Sequence, residues 1–141
     1  MNVLIDTCVF LDVLQKREPF FEEAHAVLLC AANRRINGYI SAKAVTDLYY
    51  LLHRVNHSDS ETRKILSKLM TVFGVANTNG SDCQKALLSE TSDFEDAVMI
   101  ETAEREGMDC IVTRNVRDYA KSKVRVLSPC AFLRIMEKET T

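Results

Sequence analysis

The sequence predicts an α/β domain built around a central, mainly parallel sheet, and three observations carry that prediction. Four short apolar runs, "NVLID", "GYIS", "CIVT" and "VRVLS", recur along the chain, each with the length and bounded apolar character of a buried strand. The segments between them are too long for hairpin turns, which leaves crossover connections between strands that run the same way. Within those segments the apolar residues follow a helical period, so strand and helix alternate.

The first run ends on Asp6-Thr7. Ala24, Val27, Leu28, Ala31 and Ala32 then recur at helical spacing and predict an amphipathic helix. "GYIS" is the second strand, ending at Ser41. Val45, Leu48, Leu51 and Leu52 predict a second helix, and Ile65, Leu66, Leu69 and Val72 a third. Ser58 with Glu61 has the spacing of a capping box at the start of that third helix, and Ser92 with Glu95 repeats it ahead of "DAVMIETAERE". Gly107 suits the end of this last helix, and "CIVT" and "VRVLS" follow as strands. "NTNGSD" at 77–82 reads as a turn rather than a domain boundary.

The 141 residues make one domain, 1–141, since single domains most often run to roughly 100–150 residues. A chain 47% hydrophobic and 27% charged, with only four Gly and two Pro, has the composition of a compact folded protein and no linker to divide it. Its net charge of −2 does not advertise nucleic acid, so any contact with phosphate needs a local basic patch or a bound cation. Cys8, Cys30, Cys83, Cys110 and Cys130 are odd in number, with no CxxC or Cys/His pairing, and read as reduced core thiols of a cytoplasmic protein. No apolar run approaches the roughly 20 residues of a membrane span, and the start lacks a signal-peptide pattern.

In open α/β sheets ligands bind beyond the carboxyl ends of the strands. Here those ends carry acids: Asp6-Thr7 after the first strand, Ser41 with Asp47 about two helical turns on, and Thr113-Arg114-Asn115 with Asp118 just beyond. Asp93 and Asp96 share one face of a helix's first turn. Carboxylates that converge raise one another's pKa unless a cation intervenes, and an oxygen-only set favours Mg2+ or Mn2+ over zinc. Each acid also has a plain structural explanation. Asp6 caps the following helix, Asp93 answers the helix dipole, and Asp47 sits on the polar side of its helix. Asp12, Asp59, Asp82 and Asp109 look like solvated or turn residues.

The segments "LIDTCVFLDVL", "SAKAVTDLYYLL", "DFEDAVMIETAEREGMDCIVTRNVRDY" and "VRVLSPCAFL" together resemble the PIN domain family, which includes the VapC-type toxins of bacterial toxin–antitoxin pairs. The third piece is the most specific, leading from an acidic helix start into "TRNxxDY", close to the family's "TRNxxDF". The resemblance implies a three-layer αβα sandwich with a central, mainly parallel sheet, and a ribonuclease that hydrolyses RNA with Mg2+ or Mn2+. Position by position it implies Asp6, Asp47, Asp96 and Asp118 as catalytic acids, with Asp93 an extra acid of one branch. Asp6, Asp96, Asp93 and Asp118 are the expected metal ligands, and Thr7, Thr113 and Asn115 the accompanying polar residues. Two departures stand out: the second acid is usually Glu, one methylene longer than Asp47, and Cys8 stands where Ser or Asn is common. Tyr119 in place of Phe reads as a neutral change.

Arg114 and Arg117, continued by Lys121, Lys123 and Arg125, form either a basic rim that meets RNA or an ordinary solvated surface. Tyr49 and Tyr50 either stack on bases or belong to core or interface. His53 and His57 share a helix face without a third zinc ligand and read as surface residues. The resemblance further implies a small antitoxin partner and a homodimer, with "VTDLYYLL" and the helix around Ile65 as candidate contact surfaces. Two other functions compete with the nuclease. One is a PIN-like module that binds RNA or protein without cutting; the other is a phosphoryl-transfer enzyme with Asp6 as nucleophile, for which the second acid of a DxD pair is missing at position 8.

Overall fold

A computed structural model describes residues 1–140 of the chain, with side chains through residue 139. Its strands are β1 (Asn2–Ile5), β2 (Asn37–Ser41), β3 (Gly74–Ala76), β4 (Cys110–Val112) and β5 (Arg125–Leu127). Its helices are α1 (Thr7–Leu14), α2 (Phe21–Ala32), α3 (Ala42–Asn56), α4 (Asp59–Leu69), α5 (Gly80–Leu87), α6 (Phe94–Arg105) and α7 (Pro129–Thr140), with a 3-10 turn at Val116–Tyr119. All strand pairings are parallel, in the order β3-β2-β1-β4-β5. The strand order runs outward from β1 in one direction and resumes at β4 in the other. The β1/β4 boundary is therefore a topological switch point, where open α/β sheets place their ligands.

The pleat explains the layers. Val3 and Ile5 point to one face and pack with Val9 and Phe10 of α1, Val27 of α2, Leu48 of α3 and Phe132 of α7. Leu4 and Ile111 point to the other and pack with Met99, Ile100 and Ala103 of α6 and with Tyr119. Both faces of the central strands are covered, which is why they read as unbroken apolar runs. The predicted strands and helices form, except that α4 ends at Leu69 and leaves Val72, expected on its apolar stripe, beyond the helix and exposed. Val45, Leu51, Ile65 and Leu66 pack against the first core cluster, so most of the apolar stripe of α3 and α4 belongs to the domain interior.

Four elements escape the sequence pattern. β3 is three residues long and lies at the sheet edge beside β2. α1, α5 and α7 are the others. "NTNGSD" holds more than a turn: Asn79 caps α5 reciprocally with Asp82, so the last three residues of that stretch are its first helical turn. Ser92 is not the cap of α6 either; Asp93 is, its Oδ1 accepting from the Asp96 N–H at 3.1 Å. Ser58 does cap α4.

Two acids expected in solvent are buried. Asp82 is 1% exposed and receives Arg105 Nε at 2.8 Å, with Thr102 and the Asn79 N–H on its other oxygen, which ties α5 to α6. Asp12 is fully buried and paired with Arg114. Asp59 and Asp109 are exposed as expected. All five cysteines are free; Cys30 and Cys110 are buried, whereas Cys8, Cys83 and Cys130 are partly exposed. Among the described residues no helix is long and apolar enough to cross a membrane.

Candidate functional site

The chain leaves β1 at Asp6, which does two things at once. Its Oδ1 accepts from the Thr7 N–H at 2.7 Å and so caps α1, as the structural explanation requires. Its Oδ2 faces the switch point and gathers donors: Thr113 Oγ1 at 2.7 Å, Tyr119 Oη at 3.3 Å and Cys8 Sγ at 3.6 Å. The backbone fixes this position, since the Asp6 N–H donates to Val112 at 3.0 Å and extends the β1/β4 ladder by one step. Thr113 is fully buried and also accepts from the Asn115 N–H, so its hydroxyl serves Asp6 rather than solvent.

Tyr119 is the residue whose importance the sequence hid. It ends the 3-10 turn after β4, is 2% exposed, and its hydroxyl donates to Asp6 Oδ2 at 3.3 Å, with Asp96 near enough for the same hydroxyl to lower its carboxyl pKa. Burial, together with the charges of Asp6 and Asp96, pushes its phenol far above the ordinary range, so it stays a proton donor. Its ring packs like the phenylalanine it replaces, and only the hydroxyl is new.

Asp96 enters from the first turn of α6. Burial raises its carboxyl to about 6, and repulsion from Asp93, Asp6 and Asp118 adds to the rise against the opposing hydrogen bond from Tyr119. That field is the direct sign that acids from three chain segments converge. Asp118 and Asp93 are exposed at the rim. The Cys8 thiol is pushed up to about 11, by burial first and by Asp6 second, and so remains protonated.

Asp47 lies on α3 across the same cleft. Lys43 Nζ sits 2.6 Å from Asp47 Oδ2 and 3.3 Å from Glu95 Oε1. Partial burial works against that ammonium, but the hydrogen bonds and charges of Asp47 and Glu95 hold it above its usual pKa. The cleft, about 410 Å³, is lined by Asp6, Asp96, Asp47, Lys43, Tyr119 and Tyr50 among others. Thr7 and Cys8 also line it, and Tyr50 stands 69% exposed at its mouth. Tyr49 turns away to hydrogen-bond Asp59 and to stack on His53, and His57 is the left-handed residue that ends α3.

Arg114 does not face the cleft with a free guanidinium. It is bound to Asp12 and lies over the Phe20 ring, which makes it an anchor for the loop after β4. Asn115 and Arg117 are exposed beside it, and Lys121 is paired with Glu90 at 3.8 Å.

Among the described residues no group of three or more His, Cys, Asp and Glu side chains stands ready to hold a metal ion. The donor chemistry fits a hard divalent cation all the same. Asp6 and Asp96, both beside the Tyr119 hydroxyl, offer only oxygen, and the raised pKa of Asp96 marks a place where positive charge is favourable.

A family model described as "PIN domain" matches residues 2–117. Three solved structures are similar over nearly their whole length. A toxin–antitoxin complex from Klebsiella pneumoniae is 22% identical, with 90% of this chain and 97% of that chain covered and a TM-score of 0.67. FitAB bound to a DNA fragment is 17% identical, with 90% and 94% covered and a TM-score of 0.66. The sarcin-ricin loop cleaving toxin VapC20 of Mycobacterium tuberculosis is 15% identical, with 87% and 98% covered and a TM-score of 0.65. No curated protein matches the chain.

Proposed function

We propose that this chain, which belongs to the PIN domain family, is a ribonuclease that hydrolyses RNA phosphodiester bonds with Mg2+ or Mn2+ and acts as the toxin of a toxin–antitoxin pair in the cytoplasm. The observation that carries the reading is the convergence of Asp6, Asp93, Asp96 and Asp118 at the β1/β4 switch point, where burial first and the charges of the other three acids second raise the Asp96 carboxyl to about 6. A bound divalent cation would supply a water of lowered pKa and would neutralise charge on the phosphoryl oxygens.

In this reading Asp6 and Asp96 hold the cation, and Asp93 and Asp118 flank it from the exposed rim. Thr113, Tyr119 and Cys8 keep Asp6 Oδ2 aimed into the cleft. Asp47 accepts the proton of the attacking water. Thr7, Asn115 and Arg117 receive the phosphate backbone, and exposed Tyr50 offers a face on which a base can stack. No covalent nucleophile is required. Support for an antitoxin partner comes from the two similar structures described as a toxin–antitoxin complex and as FitAB bound to DNA. A homodimer remains part of the proposal as a family property.

The test is cleavage of labelled total RNA in Mn2+, run beside an EDTA control and the Asp6→Asn and Asp96→Asn variants. Metal-dependent cutting lost in both variants supports the nuclease; cutting that survives both sinks it. One observation favours the second reading, a module that binds without cutting: Asp47 is already neutralised by Lys43. Mn2+ binding with no turnover on any RNA would put that reading first. A small gene beside this one whose product co-purifies with the chain would establish the antitoxin.

A further inference from the structure

Lys43 stands where simple helix electrostatics would not put it. It is the second residue of α3, directly after Ala42 and the Ser41 cap, and a cation in the first turn of a helix is opposed by the dipole. Its pairing with Asp47 at i, i+4 also runs in the weaker direction, with the basic residue on the N-terminal side. Something other than helix stability holds the ammonium in place. That something is a pair of carboxylates from two elements, Asp47 of α3 at 2.6 Å and Glu95 of α6 at 3.3 Å. The three groups line the same cleft as Asp6 and Asp96.

The cleft therefore divides into two halves of different charge balance. On the β1/β4 side, Asp6 and Asp96 line the cleft, with Asp93 and Asp118 exposed beside them. On the α3 side, two carboxylates already share a monovalent cation. Two-metal phosphodiesterases place their ions about 3.5–4 Å apart, one near the attacking and one near the leaving oxygen. A tethered ammonium between two acids supplies positive charge beside Asp47 and Glu95 without a second ion, and it competes with such an ion for their oxygens.

We propose that Lys43 takes the place of a second divalent cation, so that the site binds a single Mg2+ or Mn2+ beside Asp6 and Asp96 and relies on the Lys43 ammonium for positive charge near Asp47 and Glu95. The inference rests on the reading that the acidic edge binds a divalent cation.

The experiment counts ions. Mn2+ is titrated into the full chain by calorimetry, with free Mn2+ followed by electron paramagnetic resonance, for the wild type and for Lys43→Met and Lys43→Arg. The expected stoichiometry is about one ion for wild type and Lys43→Arg and about two for Lys43→Met, because only the last frees Asp47 and Glu95. A gain of binding is a result that a misfolded variant cannot imitate. Two ions on the wild type, none on it, or no change in Lys43→Met would each overturn the proposal. RNA cleavage, measured separately, distinguishes the failures. One ion rising to two without any RNA turnover sinks the nuclease and leaves the lysine inference standing, whereas Mn2+-dependent cleavage by a wild type holding two ions does the reverse.

Discussion

Arg114 grips Asp12 across 102 residues of chain, Nε lying 2.6 Å from Oδ2 and Nη2 3.1 Å from Oδ1. Its guanidinium carbon lies 3.9 Å from the centroid of Phe20. The pair fixes the loop after β4, and with it Thr113 and Tyr119, to α1. Removing one partner of a buried ion pair leaves the other charge uncompensated. Arg114→Ala is therefore expected to lower stability by about 3 kcal/mol in urea unfolding. Arg117→Ala is expected to leave stability within about 0.5 kcal/mol but to weaken RNA binding and reduce its salt slope by about 1. Unchanged stability with weaker RNA binding for Arg114→Ala would return that residue to the substrate interface.

Asp96 should make the metal-free protein less stable as pH rises. Its folded-state pKa, about 6, lies above the ordinary carboxyl value of 3.8, so the folded chain binds more protons than the unfolded one between those values. That contribution is present in full below the lower value and is lost as pH rises through the upper one. Asp96→Asn is thus expected to be more stable than wild type at pH 7 without metal, by about 1–2 kcal/mol after allowing for its partial exposure, and the advantage should vanish near pH 4. Thermal melts in EDTA across this range test it. The same variant should lose RNA cleavage by at least about 100-fold, since it removes a proposed ligand rather than a support.

Tyr119→Phe removes one oxygen and keeps the ring. Support groups of this kind typically contribute about 10-fold or more to metal affinity. Mn2+ titration calorimetry should show at least that loss, with a stability change of no more than about 1 kcal/mol. An unchanged Mn2+ affinity would reduce the hydroxyl to a bystander.

Gly38 tests the packing beneath the site. A Cβ there would meet Phe73 Cδ1 at 2.8 Å and Ala31 Cβ at 2.9 Å, so β2 can approach its neighbours only without one. Gly38→Ala is expected to cost about 1–3 kcal/mol in urea unfolding; a neutral result would mean that Phe73 moves aside freely.

Much of this architecture was legible because the central strands, buried on both faces, are apolar in "VLI" and "CIV", while the edge strand β5 kept only Val126 and Leu127 as apolar signal beside the exposed Arg125. β3 was not legible, since Gly74 and Val75 are exposed at a sheet edge and carry no apolar pattern. α5 was hidden because its capping residues, Asn79 and Asp82, are also the commonest turn formers. At the site, strand ends pointed to Asp6 and Asp118, and the first turn of a helix to Asp93 and Asp96, as the acids to examine. The roles of Asp12 and Arg114 were invisible because their pairing is long-range, and no spacing rule links a carboxylate in α1 to an arginine beyond β4. Tyr119 was misjudged for a different reason. Beside a phenylalanine it differs by one hydroxyl, and whether that matters depends wholly on what the hydroxyl meets.

The hydrogen bond between Thr113 and Asp6 joins positions 107 residues apart, and β4, which lies against β1 on the side opposite β2, follows β2 and β3 in the chain. In chain order the acids Asp6, Asp47, Asp93 and Asp96 all come before the hydroxyls of Thr113 and Tyr119 that hold Asp6 in place, so a chain stopped ahead of β4 would carry the charges without their support.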